Sequence, residues 1–198
     1  MCGLTGFWHA EAGHDGLSRV ATAMATRIAH RGPDDHGVWV DEAAGIALAH
    51  RRLSIVDLSA AGHQPMLSAS GRYVLAYNGE VYNHLDLRCE LHAAGTAPPW
   101  RGYSDTETLL ACIEAWGVEA TLKRSVGMFA FALWDRHART LVLARDRAGE
   151  KPLYYGWQGD VLLFGSELKA MRAHPAFNAA VDRGALALLL RHDYIPAP

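Results

Sequence analysis

Much is missing from this chain, and each absence removes a class of function. No basic segment followed by an apolar stretch opens the sequence, and no uninterrupted apolar run approaches the ~20 residues that a membrane-spanning helix needs. A cytoplasmic protein with no membrane partner is expected. There is no block of like charge, and a formal net charge of -2 at pH 7 offers no electrostatic case for nucleic acid as a partner. Cysteine is scarce: Cys2, Cys89 and Cys112 are odd in number and form no C-x-x-C pair, which excludes a disulfide framework and fits free thiols in a reducing compartment. Also missing are the G-x-x-x-x-G-K-[ST] phosphate loop, a G-x-G-x-x-G turn opening a helix, the G-x-S-x-G elbow and an H-x-E with P-C-x-x-C. The 11 histidines are scattered. His9, Glu11 and His14 approach H-E-x-x-H, but the spacing is wrong and Gly13 interrupts it. No metal site and no cofactor are expected within these residues.

What is present describes a globular protein. The 198 residues are 50% hydrophobic and 20% charged, with a mean hydropathy near zero, which fits one domain or one domain with an appendage. Residues 4 to 8 read as a short apolar strand. Leu17, Val20, Ala21, Met24 and Ile28 recur at helical spacing, predicting a helix over 17 to 29 that stops at Gly32-Pro33. Strands are expected over 37 to 40, 46 to 50 and 53 to 57, and a loop over 58 to 72. Asn78-Gly79, flanked by apolar residues, reads as the turn of a hairpin between strands 73 to 77 and 80 to 82. Asn83 is an N-cap for a helix closed by Gly95, and Ser104 with Glu107 forms a capping box for a helix from Asp105 to Trp116. A short helix over 118 to 123, a doubly buried strand over 128 to 135, a strand over 141 to 144 and a hairpin of 153 to 157 with 161 to 164 follow. Ser166 opens a helix through Met171, and a last helix over 181 to 192 runs into Pro196 and Pro198, a linker-like end. The order suggests packed sheets with helices outside, an α+β layered architecture.

The chemistry centres on Met1-Cys2-Gly3. A small second residue normally permits removal of the initiator methionine, which would make Cys2 the N-terminus. That residue would carry a thiol nucleophile and, on the same backbone, an α-amine with a reference pKa of about 7.7–8.0, suited to general base work. Taken alone, the tripeptide reads rather as a small buried hydrophobe near a chain start, and the rest of the chain has to decide. Other polar residues have double readings too. Arg51-Arg52 is a solvated edge, or one arginine turns inward to grip a carboxylate. Asn78-Gly79 is a hairpin turn and can also present a side-chain amide and a backbone N–H to an anionic oxygen. Asp105, in the first turn of its helix, complements the helix dipole or accepts from an ammonium group.

Several blocks, in constant order, resemble one family. They are Met1-Cys2-Gly3-Leu4-Thr5-Gly6, His30-Arg31-Gly32-Pro33-Asp34, Arg52-Leu53-Ser54-Ile55-Val56-Asp57, Tyr77-Asn78-Gly79-Glu80-Val81-Tyr82-Asn83 and Ser104-Asp105-Thr106-Glu107. Gly127-Met128-Phe129-Ala130-Phe131-Ala132, Arg145-Asp146-Arg147 with Gly149-Glu150-Lys151-Pro152-Leu153-Tyr154-Tyr155, and Ser166-Glu167-Leu168-Lys169 continue them. The chain resembles the glutaminase domain of glutamine-hydrolysing asparagine synthetases, a class II glutamine amidotransferase. The resemblance implies a four-layer αββα sandwich with the N-terminal nucleophile (Ntn) hydrolase fold over residues 1 to 180. It also implies that residues 181 to 198 are a linker and the start of an ATP-dependent synthetase domain lying outside this sequence.

By the same resemblance, Cys2 attacks the side-chain amide of L-glutamine, Asn78 and Gly79 hold the oxyanion, and a Cys2 thioester is hydrolysed to glutamate after ammonia leaves. Arg52 grips the substrate carboxylate, Glu80 and Asp105 hold its ammonium, and backbone near Ile55 and Val56 lines the pocket. ATP and Mg²⁺ are expected only in the synthetase domain, which is the expected partner, and a homodimer is compatible with the family. Ala148 stands where a larger apolar residue is usual and Tyr77 where Phe is frequent; both departures are expected to concern packing. Two alternatives stay open: the same domain serving a different carboxylate acceptor, and a catalytically silent binding domain.

Overall fold

The computed structural model describes residues 1–9 and 16–196. Glu11 and His14 of the imperfect histidine motif lie outside them. Among the described residues, nine strands and six helices follow one another: β1 (Gly3–His9), α1 (Leu17–Thr26), β2 (Asp35–Asp41), β3 (Ile46–Arg52), β4 (Met66–Leu67), β5 (Tyr73–Val81), α2 (His84–Ala93), α3 (Asp105–Trp116), α4 (Val118–Arg124), β6 (Gly127–Asp135), β7 (Thr140–Arg145), β8 (Tyr154–Gln158), β9 (Val161–Gly165), α5 (Leu168–Met171) and α6 (Arg183–His192). They form two antiparallel sheets, ordered β2-β3-β1-β9-β8 and β4-β5-β6-β7.

Three apolar layers explain the stacking. α1 and α5 cover the outer face of the first sheet through Leu17, Ala21, Met24 and Met171 against Phe7, Ala47, Ala49 and Leu163. α3 covers the outer face of the second through Leu109, Leu110 and Ile113 against Leu75, Tyr77, Phe131 and Leu133. Between the sheets lie Leu4, Ile46, Leu48, Val74, Ala76, Ala132, Trp134 and Phe164. The helix–sheet–sheet–helix order is the αββα sandwich expected. The strand period of two decides which residues meet in its middle: 4 on β1, 46 and 48 on β3, 74 and 76 on β5.

Several local readings hold and some do not. α3 runs from Asp105 to Trp116, with Ser104 Oγ accepting the Glu107 N–H at 3.2 Å and Gly117 ending it at a φ of 79°. The reciprocal half of the capping box does not form, because the Glu107 carboxylate accepts instead from the backbone N–H groups of Arg101 and Gly102. Asn83 precedes α2, but its side chain bonds the Val126 N–H and the Arg124 carbonyl rather than capping the helix. α1 stops at Thr26, and a 3₁₀ turn at Ala29–Arg31 completes the predicted helix. Ser166 does not open α5; its Oγ accepts the Leu4 N–H at 3.0 Å and anchors β1.

Two corrections matter for the site. Asn78-Gly79 is no hairpin turn: β5 is one strand paired with β6 from Tyr73↔Asp135 to Val81↔Gly127. β6 offers partners along the whole length, so the chain has no reason to reverse. Glycine is needed at 79 for close approach, since a Cβ there would stand 2.4 Å from the Met128 carbonyl oxygen and 2.6 Å from the Phe129 Cα. Residues 53 to 57 form no strand. The Arg52 guanidinium donates to the carbonyls of Asp57 and Ser59, and this closes the segment into a loop with Ile55 and Val56 exposed. The 58 to 72 loop holds a 3₁₀ turn at Ala60–Gly62 and the two-residue β4. α6 has no buried residue, and among the described residues no helix is long and apolar enough to cross a membrane.

Candidate active site

Cys2 immediately precedes β1, whose register sets Gly3 opposite Arg51 and Leu4 opposite His50. Alternation places Cys2 on the same inner face as Leu4, and Arg52 on the same inner face as His50. From the facing sheet, Asn78 continues the inner row of Val74 and Ala76. Cys2, Arg52 and Asn78 therefore meet at one end of the gap between the sheets. There they line a pocket of about 100 Å³ together with Ile55, Val56, Gly79, Glu80 and Asp105. The residues that the resemblance assigns to the reaction and to substrate binding all border this one cavity.

The nucleophile candidate is tethered. The Leu53 N–H donates to Cys2 Sγ at 3.3 Å, and Arg31 Nε donates to the Cys2 carbonyl at 2.9 Å. Burial pushes the thiol pKa up, against the Leu53 N–H, the chain N-terminus and Arg52, which all favour the thiolate. A thiol in this state needs a base at the moment of attack.

The donors facing it are free in one case and aligned in the other. Asn78 is 1% exposed, and its Nδ2 is buried without a hydrogen-bond partner. Along the edge of β5, the Tyr77 N–H donates to Gln64 Oε1 at 2.7 Å and the Val81 N–H to Asp105 Oδ2 at 2.9 Å. Gly79 lies midway, so the strand period turns its N–H to the same edge, where Gly79 lines the pocket.

Arg52 and Arg51 part company because adjacent strand residues face opposite ways. Arg51 Nε reaches out to the Ala25 carbonyl at the end of α1, whereas Arg52 turns in and is 7% exposed. Among the described residues no carboxylate lies within ion-pair distance of Arg52. Asp105, 5% exposed, accepts from the Tyr77 hydroxyl at 2.7 Å, the Val81 N–H at 2.9 Å and the Thr106 N–H at 3.0 Å, with no cation paired to it. Glu80 is half-buried at the same wall. Among the charged groups that line the pocket, the Arg52 guanidinium and the Glu80 and Asp105 carboxylates are not paired with each other. Among the described residues no group of three or more His, Cys, Asp or Glu is placed to hold a metal ion.

Sequence reasoning missed several residues. Tyr77 is more than a packing substitution, since its hydroxyl orients Asp105. Gln64, Met128 and Lys151 also line the pocket. Gly62 lets the Arg52 guanidinium pass, for a Cβ there would stand 2.0 Å from Nη2. Tyr77, Met128 and Lys151 stand inside the quoted blocks without a signal of their own, and Gly62 is marked only as a glycine ten residues from a candidate arginine. His50 lies below the site, with Nε2 2.8 Å from the Tyr77 carbonyl and Nδ1 buried without a partner. Burial holds its pKa down to about 4, outweighing the Tyr77 hydrogen bond that favours the charged form.

That depression has a stability consequence. The unfolded chain protonates near pH 6.5 and the folded one near 4, so stability is complete above about 6.5 and is lost as pH falls from there towards 4. The loss amounts to at most about 3 kcal/mol. Thermal melting should therefore drop across this window, and His50→Gln should flatten part of the slope. An unchanged slope would show that His50 does not carry it. His174, also held at about 4 by burial with a further contribution from His9, accounts for a residual.

Comparison with known proteins gives the chain its family. The family model described as "Glutamine amidotransferase domain" matches residues 1–198. Asparagine synthetase [glutamine-hydrolyzing] 3 of Bacillus subtilis is 40% identical over 189 residues, covering 94% of this chain and 30% of that protein. Asparagine synthetase B [glutamine-hydrolyzing] of Escherichia coli is 38% identical over 172 residues, covering 86% of this chain and 30% of that protein. The chain thus spans about a third of the length of the curated relatives it matches. Among solved structures, glutamine phosphoribosylpyrophosphate amidotransferase from B. subtilis superposes with a TM-score of 0.71 at 22% identity, covering 87% of this chain and 43% of that one. That likeness carries the fold, the Ntn hydrolase sandwich. The chain belongs to the glutamine amidotransferase domain family.

Proposed function

Because the chain is a glutamine amidotransferase domain, we propose that it hydrolyses L-glutamine to glutamate and ammonia on Cys2. The observation that carries the reading is the buried, unpartnered Asn78 Nδ2 lining the same pocket as the Cys2 thiol. A buried donor without a partner is costly, and its cost is offset if an oxygen that becomes an anion occupies the pocket.

Glutamine is zwitterionic. Its α-carboxylate pairs with Arg52 and its α-ammonium with Asp105 and Glu80, which places the side-chain amide towards Cys2. Removal of Met1 frees the Cys2 α-amine. The amine takes the thiol proton through a water molecule, sulfur attacks the amide carbon, and the oxyanion is received by Asn78 Nδ2 and the Gly79 N–H. Collapse expels ammonia, which carries away the proton held by the amine, and leaves a thioester. Water then attacks the thioester, passing through a second oxyanion, and releases glutamate with the thiol restored. Ile55 and Val56 form the outer rim. The ammonia serves an ATP-dependent domain of asparagine synthetase type beyond these residues, with ATP and Mg²⁺ assigned to that domain.

The test is glutamate release by protein whose loss of Met1 is verified by intact mass. Processed protein is expected to turn over, and the same protein bearing an N-terminal extension is not; equal activity of the two would remove the amine from the mechanism. Tyr77→Phe tests the ammonium clamp. Loss of the hydroxyl loosens Asp105, so KM should rise roughly three- to tenfold with kcat nearly kept, since tenfold corresponds to about 1.4 kcal/mol. An unaltered KM would show that the two backbone donors suffice to hold Asp105.

A further inference from the structure

The block from Arg145 to Lys151 takes no part in the reaction as described, yet it is closely built. The Asp146 carboxylate accepts the Glu150 N–H at 2.9 Å through Oδ1, and through Oδ2 the Lys151 N–H at 3.0 Å and the Phe129 N–H at 3.2 Å. The Asp146 N–H donates in turn to the Phe129 carbonyl at 2.7 Å. One carboxylate thus ties the loop to β6 and sets where Lys151 begins. The side chain of Lys151 then enters the Cys2 pocket and is 7% exposed. Among the described residues, the sole hydrogen-bond partner of its Nζ is the Met1 thioether sulfur at 3.5 Å, and no carboxylate lies within ion-pair distance. A buried ammonium with a neutral, weak acceptor as its partner is a poor structural device. Its partner is, moreover, the residue whose removal the proposed reaction requires. Once Met1 is gone, the ammonium faces the new chain end.

We propose that Lys151 is an electrostatic positioning residue of the Cys2 site: its ammonium keeps the α-amine of processed Cys2 unprotonated, so that the amine can take the thiol proton, and steadies the thiolate that results. The inference rests on the Cys2 reading above. Other charged and titratable groups surround Cys2. They are Arg52 from β3, Asp57 from the loop after it, whose carboxylate accepts from Ser59 and from the Tyr103 N–H, Tyr77 and Glu80 from β5, Asp105 from α3, and Arg31, which donates to the Cys2 carbonyl and is paired with Glu167. Asp146 and Glu150 share the loop of Lys151, and the Asp146 carboxylate is taken up by backbone N–H groups. In the proposed binding mode glutamine occupies Arg52, Glu80 and Asp105. Lys151 is then the cation left to act on Cys2 during turnover.

The sign is set by Coulomb's law: a nearby cation disfavours the ammonium and favours the thiolate, so its removal moves both ionisations to higher pH. Processed protein is compared as wild type, Lys151→Met, which keeps length and apolar bulk, and Lys151→Arg, which keeps the charge. The rate of Cys2 alkylation by iodoacetamide is followed against pH on the N-terminal peptide, alongside the pH profile of kcat/KM for glutamine. The alkylation midpoint and the acid limb of kcat/KM should both move up by about half a pH unit or more in Lys151→Met, with the alkaline plateau of alkylation kept. Lys151→Arg should stay close to wild type. An unmoved midpoint in Lys151→Met, or an equal shift in Lys151→Arg, overturns the inference, the latter by assigning the effect to packing. If Lys151→Met does not fold, Lys151→Gln takes its place under the same criteria. Alkylation needs no glutamine, so a protein that releases no glutamate would defeat the glutaminase reading while still deciding the role of Lys151.

Discussion

Cys2→Ala is expected to reduce glutamate release to the level of a control without protein, with folding unchanged. The pocket holds no substitute nucleophile. Ser104 Oγ is committed to the Glu107 N–H, and Thr106 Oγ1 to the Gln64 amide at 3.4 Å. The remaining thiols cannot take over, as Cys112 is fully buried in the α3 core with its pKa pushed up to about 12, chiefly by burial, and Cys89 is exposed on α2. Neither lines the pocket. Cys2→Ser should be nearly as inactive, because a hydroxyl is far less acidic than a thiol and the same weak base must deprotonate it. Half-buried Cys2 supports little of the core, so the melting temperature should barely move, which separates lost chemistry from lost fold. Glutamate release by Cys2→Ala at the wild-type rate would sink the mechanism.

The second large effect belongs to Asn78. Asn78→Ala should lower kcat by about 10²–10³-fold, equivalent to roughly 2.7–4 kcal/mol of lost transition-state stabilisation, and leave KM within a few-fold. The asymmetry follows from where charge develops: the donor faces an oxygen that becomes an anion only as sulfur adds, so the ground state gains little from it. The folded protein should tolerate the change, since a buried donor without a partner stabilises nothing that alanine would lose. Asn78→Asp should be worse than Asn78→Ala, because it sets a carboxylate against the oxyanion. A parallel rise in KM with kcat kept would instead make Asn78 a ground-state binding residue.

The helix from Ser104 to Gly117 was legible because its signals are local: a cap at one end, a glycine at the other and apolar spacing between them. The strands around Trp134 and Leu163 were legible because their residues are apolar and lie next to one another in the chain. Asn78-Gly79 misled for the same reason. The pair carries a strong local turn signal, and only the nine residues of β6 lying alongside override it. Tyr77 was read as packing because the partner of its hydroxyl is not local; Asp105, 28 positions later, is what gives that hydroxyl a role.

Local spacing was enough for a layered α+β class with packed sheets, since it rests on residue types and short-range periodicity; the αββα order, the choice of Cys2 over its reading as a small buried hydrophobe, and the set of polar residues that accompany it came from the resemblance of ordered blocks to one family. Which face each residue occupies was decided only by the tertiary structure. Arg51 and Arg52 are neighbours in the chain, yet strand alternation sends one to α1 and the other into the pocket. Cys2 and Asn78 are far apart in the chain, yet they border one pocket at the end of the gap between the sheets. Lys151 enters their pocket because Asp146 holds its loop against β6. Contacts of that kind depend on the register between strands and on the packing of one sheet against the other, which no short stretch of the sequence encodes.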